Sequence, residues 1–178
     1  MFVVGVIATL SGMAMPPALR FLDDYRAAAA ARYVASRLQA ARMEAVRRST
    51  NVAVRFTDTG EFATFVDGNG NGVLSIDIRD GVDPRIGAVE RIDTNFSGIQ
   101  FGTLGGLPPV DSGGTPPGAD PIHLGAGSLA SFTPAGTSSS GSIYLRGGTC
   151  QLVVRIYGDT GRTRILRFEA RVRQWRQL

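Results

Sequence analysis

The sequence predicts an α+β protein, one long amino-terminal helix packed on an antiparallel β-sheet head. Three observations predict it. Met1 to Thr50 read as one helix, apolar and uncharged up to Leu19, then amphipathic and dotted with arginine. From Asn51 onward, short alternating segments are separated by Gly, Pro, Asn and Asp turns, the pattern of strands and hairpins. The chain holds 23 Gly and 9 Pro in 178 residues, which suits a loop-rich β domain. This length supports one compact domain and an appendage.

Composition narrows the chemistry. The net charge is +4, and all 19 basic residues are Arg. Arg is the better fork for phosphate, so contact with nucleic acid stays open. A single Cys, Cys150, forms no internal disulfide. With one His, His123, a Cys/His metal centre or a His-dependent triad is not expected. No nucleophile elbow, P-loop or zincin motif occurs, so the chain does not read as an enzyme.

Residues 1–19 carry no charge and approach the ~20 residues of a bilayer span. A secretory signal peptide would open with a basic region and end in an A-x-A-like site. Nothing basic precedes Phe2, and Met13-Ala14-Met15 matches poorly, so the expectation is a transmembrane anchor. Pro16 and Pro17 lack N–H donors and are expected to kink or break the helix. Over 20–50, Ala27, Ala31, Val34, Leu38, Ala41 and Ala45 recur at three- and four-residue spacing, an apolar stripe of mostly small side chains. Arg26, Arg32, Arg37, Arg42, Arg47 and Arg48 fall mainly off it. Ser49-Thr50-Asn51 reads as the stop.

The head spans 51–178. Val52 to Phe56 and Glu61 to Val66 read as strands around a Thr57-Asp58-Thr59-Gly60 turn. Next, Asp67, Asn69 and Asn71 alternate with glycines and are followed by Asp77, like the first half of a calcium-binding loop. Ile78 stands where such a loop offers a bidentate Glu, so the alternatives are a Ca2+ site at Asp67, Asn69, Asn71 and Asp77 or a tight Asn/Gly turn. Ile86 to Ile92 and Ile99 to Phe101 are further strands. Gly102 to Pro121 is a long Gly/Pro loop, a surface insertion or a mobile specificity loop. The Ser/Gly run after Phe132 sits between apolar flanks, and Ile143 to Leu145 resumes a strand.

Leu152 to Tyr157 and Arg162 to Val172 form the clearest hairpin, with Gly158-Asp159-Thr160-Gly161 as its turn. If Asp159 and Thr160 are central, Tyr157 faces Arg162 and Arg155 faces Arg164, and these three arginines share a sheet face. A one-residue slip would move them to the other face. Arg155, Arg162, Arg164 and Arg167 are candidates for phosphate contact, whose affinity salt would govern. Contact with a neighbouring subunit is the alternative. Trp175 is either packing or a base-stacking platform.

A hydrophobic helix, prolines after it, and the run Arg26 to Ala31 and Leu38 to Thr50 (L-Q-A-A-R-M-E-A-V-R-R-S-T) together resemble type IV pilin-like proteins. Within these the chain is similar to the GspH/FimT pseudopilin and minor pilin family. The D-x-N-x-N-G run at Asp67, the Phe132-Thr133-Pro134-Ala135-Gly136 turn and the Thr160-Gly161-Arg162 turn fit it as well. The resemblance implies a long helix packed on an antiparallel sheet, with no catalytic residues. It implies a minor subunit of a type II secretion pseudopilus or type IV pilus, working in filament assembly and protein secretion. Implied partners are other pseudopilins or pilins, the inner-membrane assembly platform and the lipid bilayer. The implied place is the bacterial inner membrane, single-pass, with the head in the periplasm. Gly161-Arg162-Thr163-Arg164 resembles the G-R-x-R motif of DNA-binding minor pilins, so the alternative is capture of double-stranded DNA in natural transformation. The family begins with a peptidase site whose new amino terminus is methylated. Here the sequence begins about six residues inside that pattern, so a start further upstream is expected.

Overall fold

The computed structural model describes residues 2–57, 59–125 and 127–178, with side chains from Phe21 onward. Helix α1 runs from Phe2 to Arg48, so Pro16 and Pro17 do not end it. The transmembrane segment expected at 1–19 lies outside the residues whose side chains are described. Among the described residues no helix is long and apolar enough to cross a membrane. The helix stops where Ser49 takes a left-handed φ of 53°, and the Thr50 amide closes on the Ala45 carbonyl at 3.3 Å.

Two sheets wrap α1. In the first, the order is β3 (Arg85–Arg91), β2 (Glu61–Val66), β1 (Val52–Phe56) and β6 (Leu129–Phe132). In the second, β10 (Gln174–Gln177), β9 (Arg162–Glu169), β8 (Gln151–Tyr157) and β7 (Gly141–Arg146) lie side by side. The free edge of β7 takes two short strands, β4 (Gln100–Phe101) and β5 (Ile122–His123). Every pairing is antiparallel. The predicted α1 stripe is the core: Ala27, Ala31, Val34, Leu38, Ala41 and Ala45, joined by Ala30, are each at most 3% exposed. They pack on Leu152, Val154 and Ile156 of β8 and on Val52 and Val54 of β1. Small side chains let one helix approach both sheets at once.

An aromatic cluster joins the sheets beside the helix. Phe56 and Phe62 of the first sheet meet Phe101 of the second at centroid distances of 5.6 and 6.3 Å. Tyr33 of α1 closes the cluster 6.4 Å from Phe62 and 5.5 Å from Phe96.

Three expected boundaries change. The last strand does not continue to Val172: β9 ends at Glu169, and a turn in which Arg173 has φ 52° reverses the chain into β10. Alternation continues through this stretch, so periodicity alone does not show the break. β3 stops at Arg91 because Ile92 opens a one-turn helix, α3 (Ile92–Asn95), whose Ile92 is buried in the core. The Asp67 loop leads into helix α2 (Ser75–Asp80), not directly into a strand; Gly81 caps it with φ 77°. Asp58, in the expected β1–β2 turn, lies outside the described residues.

Candidate functional site

The carboxy-terminal hairpin has the register that the two central turn residues imply. Tyr157 pairs with Arg162 and Arg155 with Arg164. Arg155, Arg162 and Arg164 therefore share the face of the second sheet that points away from α1. Arg155 and Arg164 lie over the Tyr157 ring, 5.7 and 5.4 Å from its centroid. Arg162 and Arg164 are exposed and, among the described residues, make no ion pair.

The other two candidates are occupied. Arg155 is only 20% exposed and binds Asp111 of the Gly102–Pro121 loop at 2.6 Å. Arg167 pairs with Leu152, which places it on the opposite, helix-facing side, where it binds Asp24 of α1 at 2.6 Å. The four arginines thus do not form one patch. The alternation of a strand separates Arg167 from Arg164 by an odd number of residues, a separation visible in the sequence.

The hairpin turn is seated on α1. Arg42 Nε donates to the Gly136 carbonyl at 2.8 Å, and Gln39 Nε2 donates to the Gly161 carbonyl and the Thr163 hydroxyl, both at 3.3 Å. A Cβ on Gly161 would lie 2.4 Å from the Gly136 oxygen and 2.7 Å from Arg42 Nε. The Phe132–Gly136 turn, the Gly161 turn and the arginine of the L-Q-A-A-R run thus meet at one point.

A second tether holds the other end of the helix. The Asp23 carboxylate accepts the amides of Gly148 and Thr149 at 3.2 and 2.9 Å, the Thr149 hydroxyl at 3.3 Å and the Cys150 thiol at 3.6 Å. Burial pushes the Asp23 pKa up, but these donors outweigh it and hold the carboxyl below its ordinary value. Burial, with the charges of Asp23 and Asp24, raises the Cys150 thiol to about 12. No sequence pattern marks Asp23 or Asp111, whose partners lie 126 and 44 residues away; only the fold brings them together.

In the Asp67 loop the candidate ligands do converge, but onto each other. Asp67 accepts from Asn51 Nδ2 at 2.9 Å and from the amides of Asn69, Gly70 and Gly72 at 3.2, 2.7 and 2.8 Å. Asn69 and Asn71 turn their amide groups onto Asp77 Oδ2 at 3.3 and 3.0 Å. Asp83, 1% exposed, closes the loop by accepting the amides of Gly68 and Leu74, both at 3.0 Å. These bonds are those of an Asn/Gly turn. Among the described residues no group of three or more His, Cys, Asp or Glu is placed to hold a metal ion.

The remaining candidates have structural partners. His123 Nε2 is 3.0 Å from the Pro117 carbonyl. Trp175 donates to the Pro108 carbonyl at 3.0 Å and packs on Tyr144 and Phe168, so it serves packing. A cleft of about 760 Å³ between α1 and β3 is crossed by the Arg37–Glu90 ion pair at 3.1 Å, and the Tyr33 hydroxyl donates to the same Glu90 carboxylate.

Comparison with known proteins agrees with this architecture. The chain is similar to the minor pseudopilin EpsH of the Vibrio cholerae type 2 secretion system, with a TM-score of 0.50 and 14% identity over 80% of this chain and 97% of that one. A second EpsH crystal structure from the same organism aligns with a TM-score of 0.43 and 12% identity, over 86% of this chain and 93% of that one. At 14% identity the first likeness speaks to fold alone. No curated protein sequence matches the chain significantly. The family described as Type II transport protein GspH matches residues 30–161, from the buried stripe of α1 through the Gly161 turn, and the chain therefore belongs to the GspH family.

Proposed function

We propose that the protein is a minor subunit of a type II secretion pseudopilus, anchored in the inner membrane by the first part of α1, with its head in the periplasm. One observation carries this reading. The head uses only one side of α1, and Phe21 and Tyr25 on the other side stay 74% and 71% exposed. An exposed aromatic pair on a helix already committed to a core is a surface for neighbouring subunits. The mechanism is mechanical: the helix packs among like helices as the filament grows, and the head rides on it as a rigid body held at Asp23 and Arg42. The other subunits, the assembly platform and the bilayer are the partners. Deleting the gene should trap secreted proteins in the periplasm, and Phe21→Ala/Tyr25→Ala should fail to restore export while the head stays folded. Normal export from the deletion strain would overturn the reading.

A second reading has one favouring observation, the exposed pair Arg162 and Arg164 beside Tyr157. On it, the hairpin tip binds double-stranded DNA. Binding should weaken steeply with salt and disappear in Arg162→Gln/Arg164→Gln. Equal affinity of the variant and the parent would exclude it.

A further inference from the structure

The Gly102–Pro121 loop is a strap across the outer face of the second sheet. Its amino-terminal arm is tied at three points: the Leu104 amide to Gln151 Oε1 at 2.8 Å, the Gly106 carbonyl to Arg173 at 3.1 Å, and the Pro108 carbonyl to Trp175 at 3.0 Å. Leu107 is buried beneath it. At its crest the strap presents one charge, Asp111, to one part-buried cation, Arg155.

The two ends of that ion pair are unequal. Asp111 is 46% exposed on a segment without secondary structure, whereas Arg155 is 20% exposed and fixed in the middle of β8. Arg155 is oriented by Tyr157 beneath it and by the Ser142 hydroxyl, 3.4 Å from Nη1. Its Nε is buried and has no hydrogen-bond partner. A buried, unsatisfied N–H is costly, and a guanidinium is shaped to bind a carboxylate through two parallel bonds. Asp111 comes closest at Nη2 and leaves Nε without a hydrogen bond. The receptor half is therefore preformed and incompletely satisfied, while the ligand half is a half-exposed carboxylate on a proline-flanked segment without secondary structure.

We propose that Arg155 is the centre of a binding site for an acidic, extended peptide segment of a partner protein, and that Asp111 occupies it as an internal stand-in. The strap shows the form of the ligand: an extended run with one carboxylate, an aliphatic residue before it and prolines that lie against Trp175. A cleft of about 260 Å³ already opens between Pro109, Asp111 and Trp175. A partner's segment would displace the crest of the strap, engage both Nε and Nη2, and leave Arg164 to meet a second acidic side chain. The strap then acts as a competitive autoinhibitor. A peptide is favoured over nucleic acid because Asp111 covers Arg155, so that only Arg162 and Arg164 of this face are exposed and no continuous track for a phosphate backbone is offered.

Trp175 is the chain's one tryptophan, so its emission reports where the strap lies. In the purified chain, Asp111→Asn should shift that emission to the red. The added peptide acetyl-Leu-Pro-Pro-Val-Asp-Ser-Gly-amide should shift it back, binding the variant at least tenfold more tightly than the parent. The same peptide with Asn in place of Asp should not bind. Arg155→Gln should abolish peptide binding, and because it also empties a buried site, Arg155→Lys with an unchanged circular dichroism spectrum serves beside it and should bind at least tenfold more weakly. Identical emission from Asp111→Asn and the parent, or equal peptide affinity for both, overturns the proposal. It fails equally if sulfate alone, or a DNA duplex at the same charge concentration, reverses the shift as well as the peptide does.

Discussion

Asp23 ties α1, near the start of its packed half, to the β7–β8 turn. Because the donors around it outweigh burial, its pKa in the fold lies below the ordinary 3.8. A depressed folded pKa means that the fold favours the ionised form. The stabilisation is complete above pH 3.8 and is lost as pH falls through the folded value. Asp67 follows the same sign: burial raises it, and Asn51 with the amides of Gly72, Gly70 and Asn69 holds it down. Asp23→Asn should remove about 1.5–3 kcal/mol at neutral pH, the range for hydrogen bonds to a charged group, and flatten the acid limb of stability measured by urea unfolding across pH. An unaltered limb would show that the tether contributes nothing. Cys150 is the counterpart on the same tether. With its thiol raised to about 12 and its side chain buried, it should react with a thiol reagent at pH 8 only as the protein unfolds. At the Asp67 loop the carboxylate oxygens already accept four donors, so millimolar calcium should leave the thermal midpoint of the parent unmoved.

At the scale of the element, the hairpin β8–β9 shows what a sequence conveys and where it stops. Its turn, its register and the shared face of Arg155, Arg162 and Arg164 follow from alternation and from two central turn residues. The side of Arg167 follows too once strands are read residue by residue. What alternation cannot show is that Arg155 is masked, because Asp111 sits on a loop with no period of its own. The start of β10 was equally hidden, since the four-residue turn after Glu169 interrupts a run that keeps alternating. The α1 stripe was legible for the opposite reason: six positions obey one period, tertiary burial confirms them, and the structure adds only Ala30. The Gly161 turn then supplies a test that separates backbone strain from contact. Gly161 has φ +60° and a Cβ there would strike the Gly136 carbonyl, whereas Gly60 has φ +84° and nothing within 4 Å. Gly60→Ala should cost roughly 1 kcal/mol, the strain of a left-handed residue. Gly161→Ala should cost roughly 2–4 kcal/mol and detach Arg42, because strain and collision add. Equal losses in chemical denaturation would mean that the turn moves away from the helix at no cost.

For the whole molecule, the arrangement of two sheets on one helix makes α1 part of the head and not a stalk attached to it. The first sheet meets the helix through Val52 and Val54, the second through Leu152, Val154 and Ile156, and the alanines between them fix how closely both approach. A head built this way transmits force: displacement of the helix along its axis must move both sheets, since Asp23 holds it to the β7–β8 turn and Arg42 to the turn after β6. It also means that the stripe tolerates neither loss nor gain of volume, for different reasons. Leu38→Ala leaves a cavity where the helix is fully buried and should cost about 2–5 kcal/mol. Ala31→Leu adds volume at a position with no exposure, so the helix must lift from one sheet to keep the other, at about 1–3 kcal/mol. Ala40→Leu makes the same chemical change on the exposed side of the helix and should shift stability by less than about 0.5 kcal/mol. The two leucine variants separate helix propensity, which they share, from packing, which they do not. If the helix were a separable stalk, they would unfold at the same denaturant concentration. If it is the common core of both sheets, Ala31→Leu alone should unfold earlier, with the far-ultraviolet circular dichroism of the whole fold and the Trp175 emission of the second sheet lost in a single transition.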